Sequence, residues 1–165
     1  MDITLEELNE KNSREIVDIY NYYVLNSVAT YGITPMTVDE FYDYYKLNDV
    51  RTMAKAIAAD GTVIGICLLK PFDQKKEAFD RTCEYTVYIH PDYCGKGIGK
   101  IVYGMTEKLI AGMNITTVLA VVCAENTASR KMFESVGFEC SGILRRVGFK
   151  FGRYLDLCYY QKFYQ

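Results

Sequence analysis

Between Thr82 and Lys100 the chain reads TCEYTVYIHPDYCGKGIGK, and this stretch restricts the fold more than any other. Its first half is rich in Thr, Tyr, Val and Ile, the composition of a strand, and His90-Pro91 stops it. Its second half is a glycine loop, Gly95-Lys96-Gly97-Ile98-Gly99. Ile101, Val102, Met105, Leu109 and Ile110 then recur near helical spacing. Strand, glycine loop and helix in that order make an anion site. Glycines let backbone N–H groups converge, and a helix N-terminus adds unpaired donors and a partial positive charge. No G-K-S/T sequence closes the loop, so it is not a Walker loop, and the polar, alternating strand before it does not suit a dinucleotide fold. Glu84 is the lone acid of the strand that feeds this loop, an acid beside a phosphate cradle.

The surroundings read as alternating elements. Ile3 and Leu5 mark a short strand. Asn12-Ser13 caps a helix that carries Ile16, Val17, Ile19, Tyr20, Tyr23 and Val24 and ends near Asn26. Residues 27–36 form a loop, and Thr37-x-x-Glu40 is a capping box for a helix to about Leu47. Asp60-Gly61 joins the strands 52–58 and 62–69 as a hairpin. The charged stretch 70–81, with Phe72 and Phe79 flanking Lys75, Lys76 and Glu77, is a solvated connection. Thr116 to Val122 is apolar throughout, as in a strand buried on both faces. A short helix from Asn126 to Val136 stops at Gly137, and two strands, 138–147 and 154–163, follow around Gly148 to Gly152. That order implies an α/β or α+β fold with a mixed sheet.

The chain has 165 residues, enough for one domain with a buried core. A net charge of -2 gives no broad pull towards nucleic acid or anionic membrane, so any phosphate contact must be local. The six cysteines form no C-x-x-C pair and mostly sit in apolar stretches, which argues for buried thiols rather than metal ligands. With no apolar leader or bilayer-length run, a soluble protein of a reducing compartment is expected.

The loop Cys94-Gly95-Lys96-Gly97-Ile98-Gly99 resembles the acetyl-CoA loop of the GNAT N-acetyltransferases, written Q/R-x-x-G-x-G/A. Four further stretches are similar to the phosphinothricin acetyltransferase branch of that family. They are Ile19-Tyr20-Asn21 with Asn26-Ser27 and Thr30-Tyr31, then Glu84 to Pro91, then Glu125-Asn126-x-x-Ser129 ending in Gly137-Phe138, and Val147 to Asp156. Together they cover nearly the whole chain. The resemblance implies one GNAT domain over 1–165, a mixed, mostly antiparallel central sheet flanked by helices. It also implies acetyl-CoA as cofactor, direct transfer to an amine, and a cytoplasmic homodimer.

An amine is protonated at neutral pH and needs a base before it attacks a thioester. The resemblance gives Glu84 that role. It gives the pantetheine arm to backbone groups of Val87, Tyr88 and Ile89. The pyrophosphate falls to the N–H groups of Gly95, Lys96, Gly97, Ile98, Gly99 and Lys100, with Asn126, Ser129 and Ser135 as further cofactor contacts. For the acceptor, an amino-acid-like molecule such as phosphinothricin, methionine sulfoximine or methionine sulfone, it implies aromatic walls and cations. Tyr31, Phe72, Lys75, Lys76 and Lys150 are the candidates.

The chain departs from the family pattern in places. Cys94 replaces the leading Arg or Gln of the loop, and Lys75 and Lys76 stand where relatives carry arginines. Tyr31 replaces a common Phe or Trp, and Gly32 an acid. Phe133 occupies the position of the family's Tyr or His proton donor, which leaves water or a nearby Tyr such as Tyr103 for the leaving thiolate. Another amine acceptor (a peptide N-terminus, polyamine or aminoglycoside) and a weakly active acetyl-CoA-binding protein are the competing functions.

Overall fold

The computed structural model describes residues 1–73 and 75–164. Its elements run β1 (Ile3–Glu6), α1 (Glu10–Asn26), α2 (Val38–Tyr45), β2 (Met53–Ala59), β3 (Thr62–Pro71), β4 (Thr82–Ile89), α3 (Ile98–Ile110), β5 (Thr117–Cys123), α4 (Thr127–Ser135), β6 (Glu139–Lys150) and β7 (Arg153–Phe163). The strands form one sheet in the order β1-β2-β3-β4-β5-β7-β6. Every neighbouring pair is antiparallel except β4 and β5, which run parallel. This is the mixed, mostly antiparallel sheet with flanking helices that the resemblance implies.

Strand alternation divides the core into two layers. One face of β4 presents Cys83, Tyr85, Val87 and Ile89 to Ile98, Val102 and Tyr103 of α3 and Phe133 of α4. The other presents Tyr88 to Tyr20 and Val24 of α1 and Phe41 and Tyr45 of α2. The Tyr20 ring meets those of Phe41, Tyr45 and Tyr88 edge-on at 5.2, 5.9 and 5.2 Å. No helix of the described residues is long and apolar enough to cross a membrane.

Several local expectations shift. α1 begins at Glu10 because Asn9, not Asn12-Ser13, is its cap. The Asn9 side chain accepts from the amides of Lys11 and Asn12, and the Asn12 side chain accepts from the Asn9 amide at 2.8 Å. Ser13 is already inside the helix, buried, with its hydroxyl 2.6 Å from that of Tyr42. The Thr37–Glu40 capping box is present, and α2 ends at Tyr45 because Lys46 turns left-handed at φ 55°. The expected Gly148–Gly152 connection shrinks to Phe151-Gly152, and Gly148 stays in β6 opposite Leu155. There a Cβ would lie 2.6 Å from the Tyr31 ring, so only glycine lets that ring approach. Cys67, Cys83, Cys123 and Cys158 are buried, whereas Cys94 and Cys140 are exposed, and all six are free thiols.

Candidate active site

β4 and β5 share only three rungs: Thr82 with Thr117, Cys83 with Val118 and Glu84 with Leu119. β4 then runs on to Ile89 and β5 to Cys123 with no pairing between them. On its other side β4 stays paired to β3, from Pro71–Cys83 to Gly65–Ile89. One edge of Tyr85–Ile89 is therefore left open in the middle of a sheet. A cavity of about 660 Å³ occupies the opening. Thr86–Ile89, Val121 and Val122 line it from the strands, Ser27–Ala29 from the loop after α1, Gly95–Lys100 in part from the glycine loop, and Asn126, Ser129 and Ser135 from α4.

The glycine loop closes one end. Gly95 and Gly97 sit at φ +75° and +77°, a region that L side chains avoid. Among the described residues the amides of Gly95, Lys96, Gly97, Ile98 and Gly99 have no acceptor, which leaves a converging set of donors at the N-terminus of α3. The Lys100 amide does not join them, because it donates to the Gly97 carbonyl at 3.1 Å as the helix begins. Lys96 lies outside the cavity lining, its ammonium 5.0 Å from the centre of the Tyr93 ring. Asn126 caps α4, accepting from the Ser129 amide at 3.1 Å. The Ser135 hydroxyl donates to the Met132 carbonyl at 2.7 Å. Open amides and an open strand edge fit a cofactor with a pyrophosphate and an amide-bearing arm, and acetyl-CoA has both.

Glu84 shares a strand face with Thr86 and Tyr88 but does not itself line the cavity. Its register partner on β3 is Lys70, whose Nζ lies 3.4 Å from a Glu84 carboxylate oxygen. Each side chain is 24% exposed, enough to meet an incoming molecule. The Lys70 ammonium also lies 5.9 Å from the centre of the Tyr45 ring.

At the mouth, the Tyr23 hydroxyl donates to the Ile89 carbonyl and lies 3.3 Å from the Cys94 sulfur. Burial, with Cys94 beside it, pushes the Tyr23 phenol well above its ordinary value, so it stays protonated. Phe133 is buried among the rings of Tyr85, Phe138 and Tyr160 and lines the cavity with carbon alone. Tyr103 is no substitute proton donor. It is fully buried, its hydroxyl is bonded to that of Tyr164, and it does not reach the cavity.

None of the five expected acceptor residues lines the cavity. Lys150 is 3% exposed, and its ammonium is held by the carbonyls of Tyr23, Ser27 and Thr30. It is therefore not a free cation facing a substrate. The Tyr31 hydroxyl donates to the Asp156 carbonyl at 2.9 Å. Phe72 packs edge-on against Phe79 at 5.3 Å. Lys75 and Lys76 are exposed, and their amides donate to the Asp73 side chain. The structure instead adds Lys70, Tyr23 and Ser27–Ala29. Only a correct β3–β4 register across the 71–83 connection could have pointed to Lys70.

The family model for the acetyltransferase (GNAT) family matches residues 16–138. Phosphinothricin N-acetyltransferase of Streptomyces coelicolor is 28% identical over 93% of this chain and 91% of its own length. L-methionine sulfoximine/L-methionine sulfone acetyltransferase of Pseudomonas paraeruginosa is 32% identical over 88% of this chain and 86% of its own. A solved GNAT superfamily phosphinothricin acetyltransferase from Sinorhizobium meliloti, in complex with acetyl-CoA, superimposes with a TM-score of 0.90. It is 29% identical, and the match covers 98% of this chain and 88% of that one.

Proposed function

The chain belongs to the GNAT acetyltransferase family and is an acetyl-CoA-dependent N-acetyltransferase; on that premise we propose that its acceptor is the α-amino group of a small amino acid or analogue, of the phosphinothricin, methionine sulfoximine or methionine sulfone type. The observation that carries this reading is the cross-strand pair Glu84–Lys70 beside the open edge of β4. An α-amino acid bears an ammonium and a carboxylate on one carbon. A carboxylate and an ammonium side by side on the protein offer the complementary charges.

In this reading Glu84 accepts the proton of the acceptor ammonium, directly or through one water, and Lys70 pairs with the acceptor carboxylate. Val87 and Ile89 present main-chain groups to the pantetheine arm, whereas those of Tyr88, also expected there, turn to Ile66 of β3, and the amides of Gly95, Lys96, Gly97, Ile98 and Gly99 take the pyrophosphate. Asn126, Ser129 and Ser135 border the same space from α4. Acetyl-CoA supplies an acetyl thioester; the neutral amine takes its acetyl group as the C–S bond breaks, and the proton that the new amide nitrogen sheds balances the one that the thiolate gains. With Phe133 apolar and Tyr103 tied to Tyr164, no side chain is assigned to protonate the departing thiolate, and water does so.

The 165 residues act as one domain. Two copies pair through β6, where Ile143, Leu144, Val147 and Phe149 are 47–61% exposed on the last strand of the sheet. Six free thiols suit the reducing cytoplasm.

The test is thioester cleavage over L-methionine sulfone, L-methionine sulfoximine, phosphinothricin, a peptide with a free N-terminus, spermidine and kanamycin. Turnover with the first three and a rise of about tenfold in their KM on Lys70→Met support the reading. Turnover confined to the peptide or the polycations overturns the acceptor class. Tight acetyl-CoA binding without turnover of any amine overturns the proposed reaction.

A further inference from the structure

Lys150 closes β6, yet its side chain runs inward across the molecule to the end of α1. Its ammonium lies 3.3, 2.6 and 2.9 Å from the carbonyls of Tyr23, Ser27 and Thr30. These oxygens belong to the last turn of α1 and the bend after it: the Tyr23 carbonyl also accepts from the Ser27 amide at 3.1 Å, those of Ser27 and Thr30 lie past the helix, and the helix dipole favours a cation there. The last turn of α1 contains no basic residue of its own. Three carbonyls from one short segment thus converge on a cation supplied by a distant strand.

The segment they hold is a wall of the site. Ser27, Val28 and Ala29 line the cavity, and Tyr23 guards its mouth through the Ile89 carbonyl. Beyond Thr30 the same hairpin grips the loop again: the Tyr31 hydroxyl donates to the Asp156 carbonyl, and the Tyr31 ring lies against Gly148. The wall is short and without regular structure, so the fixed points at either end set its shape.

We propose that Lys150 is a positioning residue, fixing the Ser27–Ala29 wall and thereby the shape of the cavity at the open edge of β4, without touching substrate or cofactor. The kinetic part of this inference rests on the proposed amino-acid acceptor; the structural part does not. Removal of the ammonium leaves the Ser27 and Thr30 carbonyls without a donor among the described residues and the Tyr23 carbonyl with the Ser27 amide alone, and the segment must relax.

The experiment compares wild type with Lys150→Met, Lys150→Ala and Lys150→Arg by amide hydrogen exchange, acetyl-CoA calorimetry and steady-state kinetics with L-methionine sulfone. In Lys150→Met, exchange of residues 27–31 should accelerate about tenfold or more, while that of β4 and α3 stays as in wild type. The acetyl-CoA Kd should rise by about the same factor, because the wall lines the cavity that the cofactor fits, and KM for methionine sulfone should rise with it. Methylammonium added to Lys150→Ala should recover part of the KM, because a free cation can enter the carbonyl cage. Lys150→Arg keeps a cation and should fall between Met and wild type. Unchanged exchange at 27–31, or acceleration spread equally over β4 and α3, overturns the proposal. If wild type turns over no amino acid, the acceptor reading has failed, and the exchange pattern still decides the role of Lys150.

Discussion

Glu84 stands opposite Leu119 in the last rung that β4 and β5 share. One residue further, the main chain of β4 loses its neighbour. A single event, the end of pairing between two parallel strands, therefore places the carboxylate and the open strand edge next to each other. A side chain on a rigid strand is held more tightly than one on a loop, and β3 secures Glu84 from the other side through its register with Lys70.

Glu84→Gln keeps the shape and removes the proton acceptor. The expected loss in kcat/KM for the acceptor is about 10²- to 10⁴-fold, with acetyl-CoA binding unaffected. Stopped-flow thioester cleavage and calorimetry separate the two. Wild-type kcat/KM across the pH range in the variant would remove Glu84 from the reaction.

Gly97→Ala meets no neighbour within 4 Å, so its cost is conformational: φ +77° strains an L residue by about 1–2 kcal/mol. The loop can relieve that strain by turning its amides, and acetyl-CoA affinity should then fall about tenfold. An unchanged Kd measured by calorimetry would mean that these amides do not hold the pyrophosphate.

At Gly65 the constraint is space. A Cβ there would sit 2.1 Å from the Tyr88 carbonyl oxygen, on main chain that cannot swing aside. Gly65→Ala should cost about 1–3 kcal/mol, or roughly 2–4 °C of Tm per kcal/mol. Scanning calorimetry checks this, and an unaltered Tm would show that β3 and β4 separate without cost.

Leu144→Glu places a charge in the apolar face of β6, where Leu144 is 47% exposed. Light scattering of wild type should give twice the chain mass, and the variant should give the chain mass alone. The same mass for both proteins would remove β6 as the contact between copies.

The capping box of α2 predicts an acid-side effect. Glu40 accepts from the Thr37 amide and hydroxyl, and these bonds lower its carboxyl from the ordinary value. A depressed folded value gives stability that is present above the unfolded value of 4.5 and is lost as pH falls through the lower, folded one. Between pH 6 and 3 the Tm of wild type should therefore fall more than that of Glu40→Gln. Parallel curves would show that Glu40 contributes nothing to that fall.

Local chemistry was legible where its partners are near in sequence. The Thr37–Glu40 box, the Asp60-Gly61 turn and the glycine loop of α3 appear where side chain and backbone rules put them. Asn9 escaped because Asn12 is an equally good cap by composition, and only the reciprocal bonds decide between them. Lys150 read as a free cation because nothing near it in sequence occupies it; its carbonyls lie more than a hundred residues away. Tyr103 is another such case, since its partner Tyr164 comes from the far end of the chain. The three-rung limit of β4 and β5 has no local mark in either strand.

The gap between β4 and β5 also carries a liability. Strands with open edges are templates for pairing with other chains, and most sheets confine them to the periphery. Here two such edges face each other within the sheet, next to apolar Val87, Ile89, Val121 and Val122. Acetyl-CoA bound there as proposed would line both edges as well as react. At a concentration of about 100 times its Kd it would add roughly 2.7 kcal/mol to the folded state. Without a ligand in the gap, both edges stay open.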